Sequence, residues 1–162
     1  MAPLKKRFGF CLLPMAVVIS GALLFVNFSC CRIEHCLQIT DSNSGKVYGK
    51  WPLNGIEEFA IEFIHSVNQS PVRETFIIEE GKIRPLSVRF SSFGAGMQSS
   101  LEDGLELGRD GDAMVITGFK NSFSELNYIV GTVSDHLLFV GSEIISLREL
   151  CGRNAHIRIF IK

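Results

Sequence analysis

Four side chains able to carry protons or charge fall within ten positions of the stretch FIHSVNQSPVRETF, residues 63–76: His65, Ser66, Arg73 and Glu74. A serine beside a histidine suggests nucleophilic catalysis, and a histidine near a glutamate suggests an acid–base pair. Strand alternation separates the two. In FAIEFIHSV, Phe59, Ile61, Phe63, His65 and Val67 share one face, and Ala60, Glu62, Ile64 and Ser66 share the other. His65 and Ser66 therefore point apart, and a Ser–His dyad loses its geometry. In VRETFII, Val72, Glu74, Phe76 and Ile78 share a face. A four-residue loop, 68–71, predicts Val67 opposite Val72, Phe63 opposite Phe76, Ile61 opposite Ile78 and His65 opposite Glu74. Two readings of that pair stay open. It locks the register of the hairpin turned at Pro71 and Val72, or it forms a polar spot at the mouth of an apolar cavity that holds a small ligand.

The second candidate is SSFGAGM, where Gly94 and Gly96 bracket Ala95 directly after a strand-like run ending at Phe93. No Gly-Lys-Ser/Thr follows, so it is not a phosphate loop. Either the glycines permit a positive φ as the chain leaves the sheet, or their N–H groups form a nest for an anion such as a carboxylate. Asp135 and His136 are neighbours in sequence, and neighbours in a strand point apart; a turn aspartate followed by a strand-entry histidine is the plain account. A triad is a spatial object, so a hydrolase built on Ser66 or Ser92 remains the weakest of the functional readings, with no GxSxG elbow to support it. The run CCRIEHC has no paired C-x-x-C spacing, and neither a metal nor another cofactor is predicted. Cys36 with Cys151 is one pairing that an oxidising compartment would allow, although connectivity is not legible in sequence.

The elements that must position these residues are almost all strands. Short apolar runs at 36–40, 47–53, 59–67, 73–79, 83–93, 105–107, 113–117, 126–130, 136–140 and 156–161 are separated by turn residues, with Asp-Gly at 110–111 marking a hairpin. SLREL, 146–150, reads as one helical turn, and 94–104 as the longest loop. The expected fold is an all-β antiparallel sandwich or partly open barrel of about eight or nine short strands. Thirteen Phe against one Trp and two Tyr favour packing over a base- or sugar-stacking surface.

Before that domain, MAPLKKR is followed by an uncharged run from Phe8 to Cys31. Its length suits a membrane span, and the preceding cations favour a cytoplasmic N-terminus. The predicted organisation is a signal anchor or signal peptide over 1–31 and an extracytoplasmic β-domain over 32–162. The protein is then held at the cytoplasmic membrane with its domain in the periplasm or outside the cell, or is secreted if the segment is cleaved. Beyond residue 31, thirteen Lys and Arg stand against seventeen Asp and Glu, a net charge of −4. An acidic domain has no electrostatic footprint for nucleic acid.

His65-Ser66-Val67, Pro71-Val72, Glu74, then Ser92-Phe93-Gly94-Ala95-Gly96 and the later Asp135-His136 together resemble the bacterial family called domain of unknown function 1850. Met97-Gln98 depart from the pattern after the glycines. The resemblance implies a partner more than a reaction: the membrane permease of a tripartite ATP-independent periplasmic (TRAP) transporter, or its TAXI-type solute receptor. The expected function is a non-enzymatic accessory of such a system. The alternative is a small-ligand module for organic acids, with His65, Ser66, Glu74, Phe93, Gly94, Gly96 and His136 as its site residues.

Overall fold

The computed structural model describes residues 35–67, 69–91 and 104–162. The predicted membrane segment and the candidates Phe93, Gly94 and Gly96 lie outside the described residues. Among those described, no helix is long and apolar enough to cross a membrane.

Two antiparallel sheets form an open sandwich. The smaller contains β1 (Cys36–Asp41), β2 (Val47–Pro52), β8 (Glu125–Ile129) and β11 (His156–Ile161), in the order β2-β1-β11-β8. The larger contains β3 (Glu58–Ile64), β4 (Pro71–Glu79), β5 (Lys82–Phe90), β6 (Glu106–Asp110), β7 (Ala113–Thr117), β9 (His136–Val140) and β10 (Glu143–Ser146), in the order β10-β9-β3-β4-β5-β7-β6. One short helix, α1 (Leu147–Cys151), follows β10, where the sequence predicts a helical turn. Ser146 caps it, its hydroxyl accepting from the Glu149 amide at 3.0 Å. The all-β expectation holds, with eleven described strands instead of eight or nine.

Alternation places the core between the layers. Leu37, Ile39, Ile157 and Ile159 from the smaller sheet meet Phe59, Ile61, Phe76, Leu138 and Val140 from the larger. Leu37, Ile39, Ile61, Leu138, Ile157 and Ile159 are fully buried. Each is worth about 1.5–3 kcal/mol of transfer free energy. Phe59 stacks on Phe76 with ring centroids 5.1 Å apart.

That stack reveals a correction. β3 and β4 pair with Phe59 opposite Phe76, Ile61 opposite Glu74 and Phe63 opposite Val72. The predicted register is displaced by four residues, so Glu74 does not face His65. β3 ends at Ile64 instead of Val67, and the connection runs from His65 to Ser70. His65 N donates to Ser70 O at 2.9 Å, Gln69 N donates to His65 O at 3.0 Å, and Gln69 adopts φ 53°. A slip of four is even, so the side chains within β3 and β4 keep their predicted faces while changing partners, whereas His65, Ser66 and Val67 leave the strand and its alternation.

The disulfide is also not formed: Cys36 and Cys151 are both free. Cys36 opens β1 opposite Pro52. Cys151 lies near Asp41 and Lys46 at the other end of that strand, because α1 docks there.

Candidate functional site

Two clefts bring the predicted residues together in a different grouping from the one the hairpin suggested. The first lies at the end of the sandwich where β3 runs into its turn and β8 passes into β9. It has a volume of about 370 Å³ and is lined by Phe63 to Ser66, by Gly131 to Ser134 and by His136. His65, Ser66 and His136 therefore share one site.

Local pairing explains the convergence. His136 opens β9 directly opposite Phe63 of β3, which sets the two rings in a stack with centroids 4.9 Å apart. Its Nδ1 accepts from the Gly131 amide at 3.2 Å, which leaves Nε2 as the protonated nitrogen of a neutral ring. Burial holds its pKa below the ordinary value of 6.5. His65 Nδ1 likewise accepts from the Val67 amide at 3.3 Å, leaving its Nε2 as a donor. Ser134 closes the cleft by donating its hydroxyl to Ile64 O at 2.9 Å. Val133 in the lining is 85% exposed, and Val67, which follows Ser66 in the turn, is 62% exposed.

Asp135 makes no hydrogen bond to His136 among the described residues, and its charge raises the His136 pKa against the larger effect of burial. Its carboxylate accepts from Ser146 Oγ at 2.5 Å and from Arg148 N at 3.1 Å, so it ties the β8–β9 loop to the start of α1. Arg148 returns a hydrogen bond to Val133 O at 2.8 Å.

The second cleft surrounds Glu74, which lies on the inner face of β4 between Ile61 and Val88. Its partner is Tyr128, reaching across from β8 in the opposite sheet to donate its hydroxyl to Glu74 Oε2. Burial raises the Glu74 pKa above its ordinary value, and the Tyr128 hydrogen bond only partly offsets this. Burial and the neighbouring carboxylate push the Tyr128 phenol up as well. The cleft measures about 260 Å³ and is walled by Phe76, Pro85, Val88, Phe119 and Tyr128. It opens where β4 and β5 shift register between Thr75 and Phe76, and where β7 stops pairing with β5 beyond Val88. Gly118, at φ 90°, turns the chain there; a Cβ would meet Gly104 O at 2.4 Å.

The edge of the Tyr128 ring meets His136 with centroids 6.3 Å apart, so the clefts lie back to back across two aromatic residues. Tyr128 escaped sequence reasoning. Its signal was available, because LNYIV alternates Leu126, Tyr128 and Val130 inward, and a buried phenol needs an acceptor. Pro71, expected in the loop, opens β4 opposite Ile64, and Val72, expected opposite Val67, is buried opposite Phe63. A larger hollow of about 720 Å³ lies on the outer face near Arg73 and Arg89. Both cations there are paired, Arg73 with Glu62 at 3.3 Å and Arg89 with Asp110 at 2.7 Å. Arg89 thus belongs to a solvated face, as its alternation with Val88 and Phe90 predicts.

The class these observations define is an open antiparallel β-sandwich with small clefts at one end and between its layers. Residues 59–147 match the family model described as Domain of unknown function (DUF1850), and the chain belongs to that family. The match runs from β3 into α1 and includes His65, Ser66, Glu74, Tyr128 and His136. No curated protein and no solved structure matches the chain.

Proposed function

We propose that the domain is a non-enzymatic accessory of a TRAP-type solute transport system, working outside the cytoplasm beside the permease or its TAXI-type receptor and tethered by residues 1–31. Membership of the DUF1850 family carries this reading. The site geometry supports the non-enzymatic part. Ser66 Oγ hydrogen-bonds to neither histidine among the described residues, and Asp135 is committed to α1. Pull-down of the full chain from detergent-solubilised membranes is expected to recover a transporter subunit. Recovery of the chain alone overturns the assignment.

A second reading has its own observation. His65, Ser66 and His136 line one cleft with both imidazole Nδ1 atoms taken by backbone amides, so the free ring nitrogens are donors. Donors without an acidic neighbour in the lining suit a carboxylate, the organic-acid ligand class. Small dicarboxylates are expected to raise the melting temperature of the wild-type chain. His136→Phe, which preserves the stack on Phe63, should remove that shift; a shift unchanged in the variant excludes the cleft.

A further inference from the structure

The cavity around Glu74 has the opposite chemistry. No ion pair among the described residues includes Glu74. Its Oε1 makes no hydrogen bond among them and is not a buried orphan, so it keeps contact with the open space of the cleft. The Tyr128 proton is committed to Oε2, which leaves the phenol oxygen as an acceptor too. Two acceptors therefore face a space otherwise walled by Phe76, Pro85, Val88 and Phe119, with Ser87 at its border.

We propose that this cavity binds a small aliphatic ammonium group, with Glu74 as its counter-ion and Tyr128 as its second acceptor. A half-buried carboxylate with no cation attracts a positive ligand and repels a negative one. The aromatic walls add to this, since a cation near ring faces is held by their quadrupoles while its alkyl part is buried. The volume of about 260 Å³ lies below the range of about 300–1,000 Å³ common for drug-sized ligands, which selects a short chain. This cavity shares no lining residue with the His65–His136 cleft, so the inference stands or falls independently of carboxylate binding there.

The test is calorimetric titration of the full chain in detergent with butylammonium, and with butyrate as the matched anion. Butylammonium is expected to bind at millimolar concentration and butyrate not to bind. Glu74→Gln keeps an acceptor for the Tyr128 hydroxyl and should weaken butylammonium tenfold or more. Equal binding of butyrate, or unchanged binding to Glu74→Gln, overturns the proposal. Should that variant fail to fold, the wild-type chain still decides the matter. Nuclear Overhauser contacts between butyl protons and the Phe119 or Phe76 ring support the site, and their absence on a saturated sample refutes it.

Discussion

At the scale of single residues, the interior of this sandwich is organised around an acid, Glu74, and a phenol, Tyr128, that meets it from the opposite sheet. Glu74 stands in a face otherwise made of Val72, Phe76 and Ile78, and burying a carboxylate there is costly unless something satisfies it. Tyr128 does so from the opposite sheet, so the hydrogen bond also pins the two layers together. Tyr128→Phe preserves the ring but deprives Glu74 of its donor. It should lower stability by about 1–2 kcal/mol at neutral pH, read as a lower denaturant midpoint with an unchanged slope. The double variant Tyr128→Phe/Glu74→Leu should recover most of that loss, because both polar groups are then gone. Failure to recover would mean the phenol acts through something other than Glu74. The face of Glu74 was legible because side chains alternate with a period of two. Its partner was not, because alternation fixes a face and leaves every even slip of register equally consistent.

At the scale of elements, what decided the register was information that neither strand carries alone. Phe59, Ile61 and Phe63 pair on their other edge with Val140, Leu138 and His136, so β9 constrains β3 too and β4 does not do so alone. Such a pairing joins residues more than seventy positions apart and leaves no mark in a local pattern. The short strand β10 was missed for a related reason. Its two isoleucines are adjacent, Ile144 is 64% exposed, and a four-residue edge strand shows no alternation to read. The β8–β9 loop is the element on which the end cleft depends, and Gly131 is its tightest point. A Cβ there would lie 2.3 Å from Ser134 O and 3.4 Å from His136 Nδ1. Gly131→Ala should therefore displace the loop, cost roughly 1–3 kcal/mol and disturb the His136 resonances more than those of Glu74. Asp135→Ala acts on the same loop from its other anchor and should cost a similar amount through the lost bonds to Ser146 and Arg148. Wild-type chemical shifts at His136 in both variants would disprove this account of how the cleft is held.

At the scale of the whole molecule, two partly buried groups of the described residues, Glu74 and His136, impose opposing demands on stability as a function of pH. Glu74 has a raised folded-state pKa, so the native state binds its proton more tightly than the unfolded chain. Its contribution is complete below the ordinary value of 4.5 and is lost as pH rises through the folded-state value. His136 has a lowered folded-state pKa, so the unfolded chain binds its proton more tightly. Its contribution is complete above the ordinary value of 6.5 and is lost as pH falls toward the folded-state value. The two slopes have opposite signs: the Glu74 slope sets in above pH 4.5 and the His136 slope below pH 6.5, so each offsets the other in the wild-type chain wherever both groups titrate. Each single variant should expose the slope of the other group. In Glu74→Gln, stability is expected to fall as pH drops below 6.5, while its value at pH 7 rises because a partly buried charge is gone. In His136→Phe, stability is expected to fall as pH rises above 4.5. Acid loss below about pH 4 should persist in both, since Asp41, held near a pKa of about 2 chiefly by the Ser44 amide, lies outside the pair. Equilibrium unfolding in urea at half-unit pH steps measures all three curves. Parallel curves for wild type and variants would show that neither Glu74 nor His136 titrates differently in the folded and unfolded chains, and would remove the electrostatic basis for opposite ligand charges in the two clefts.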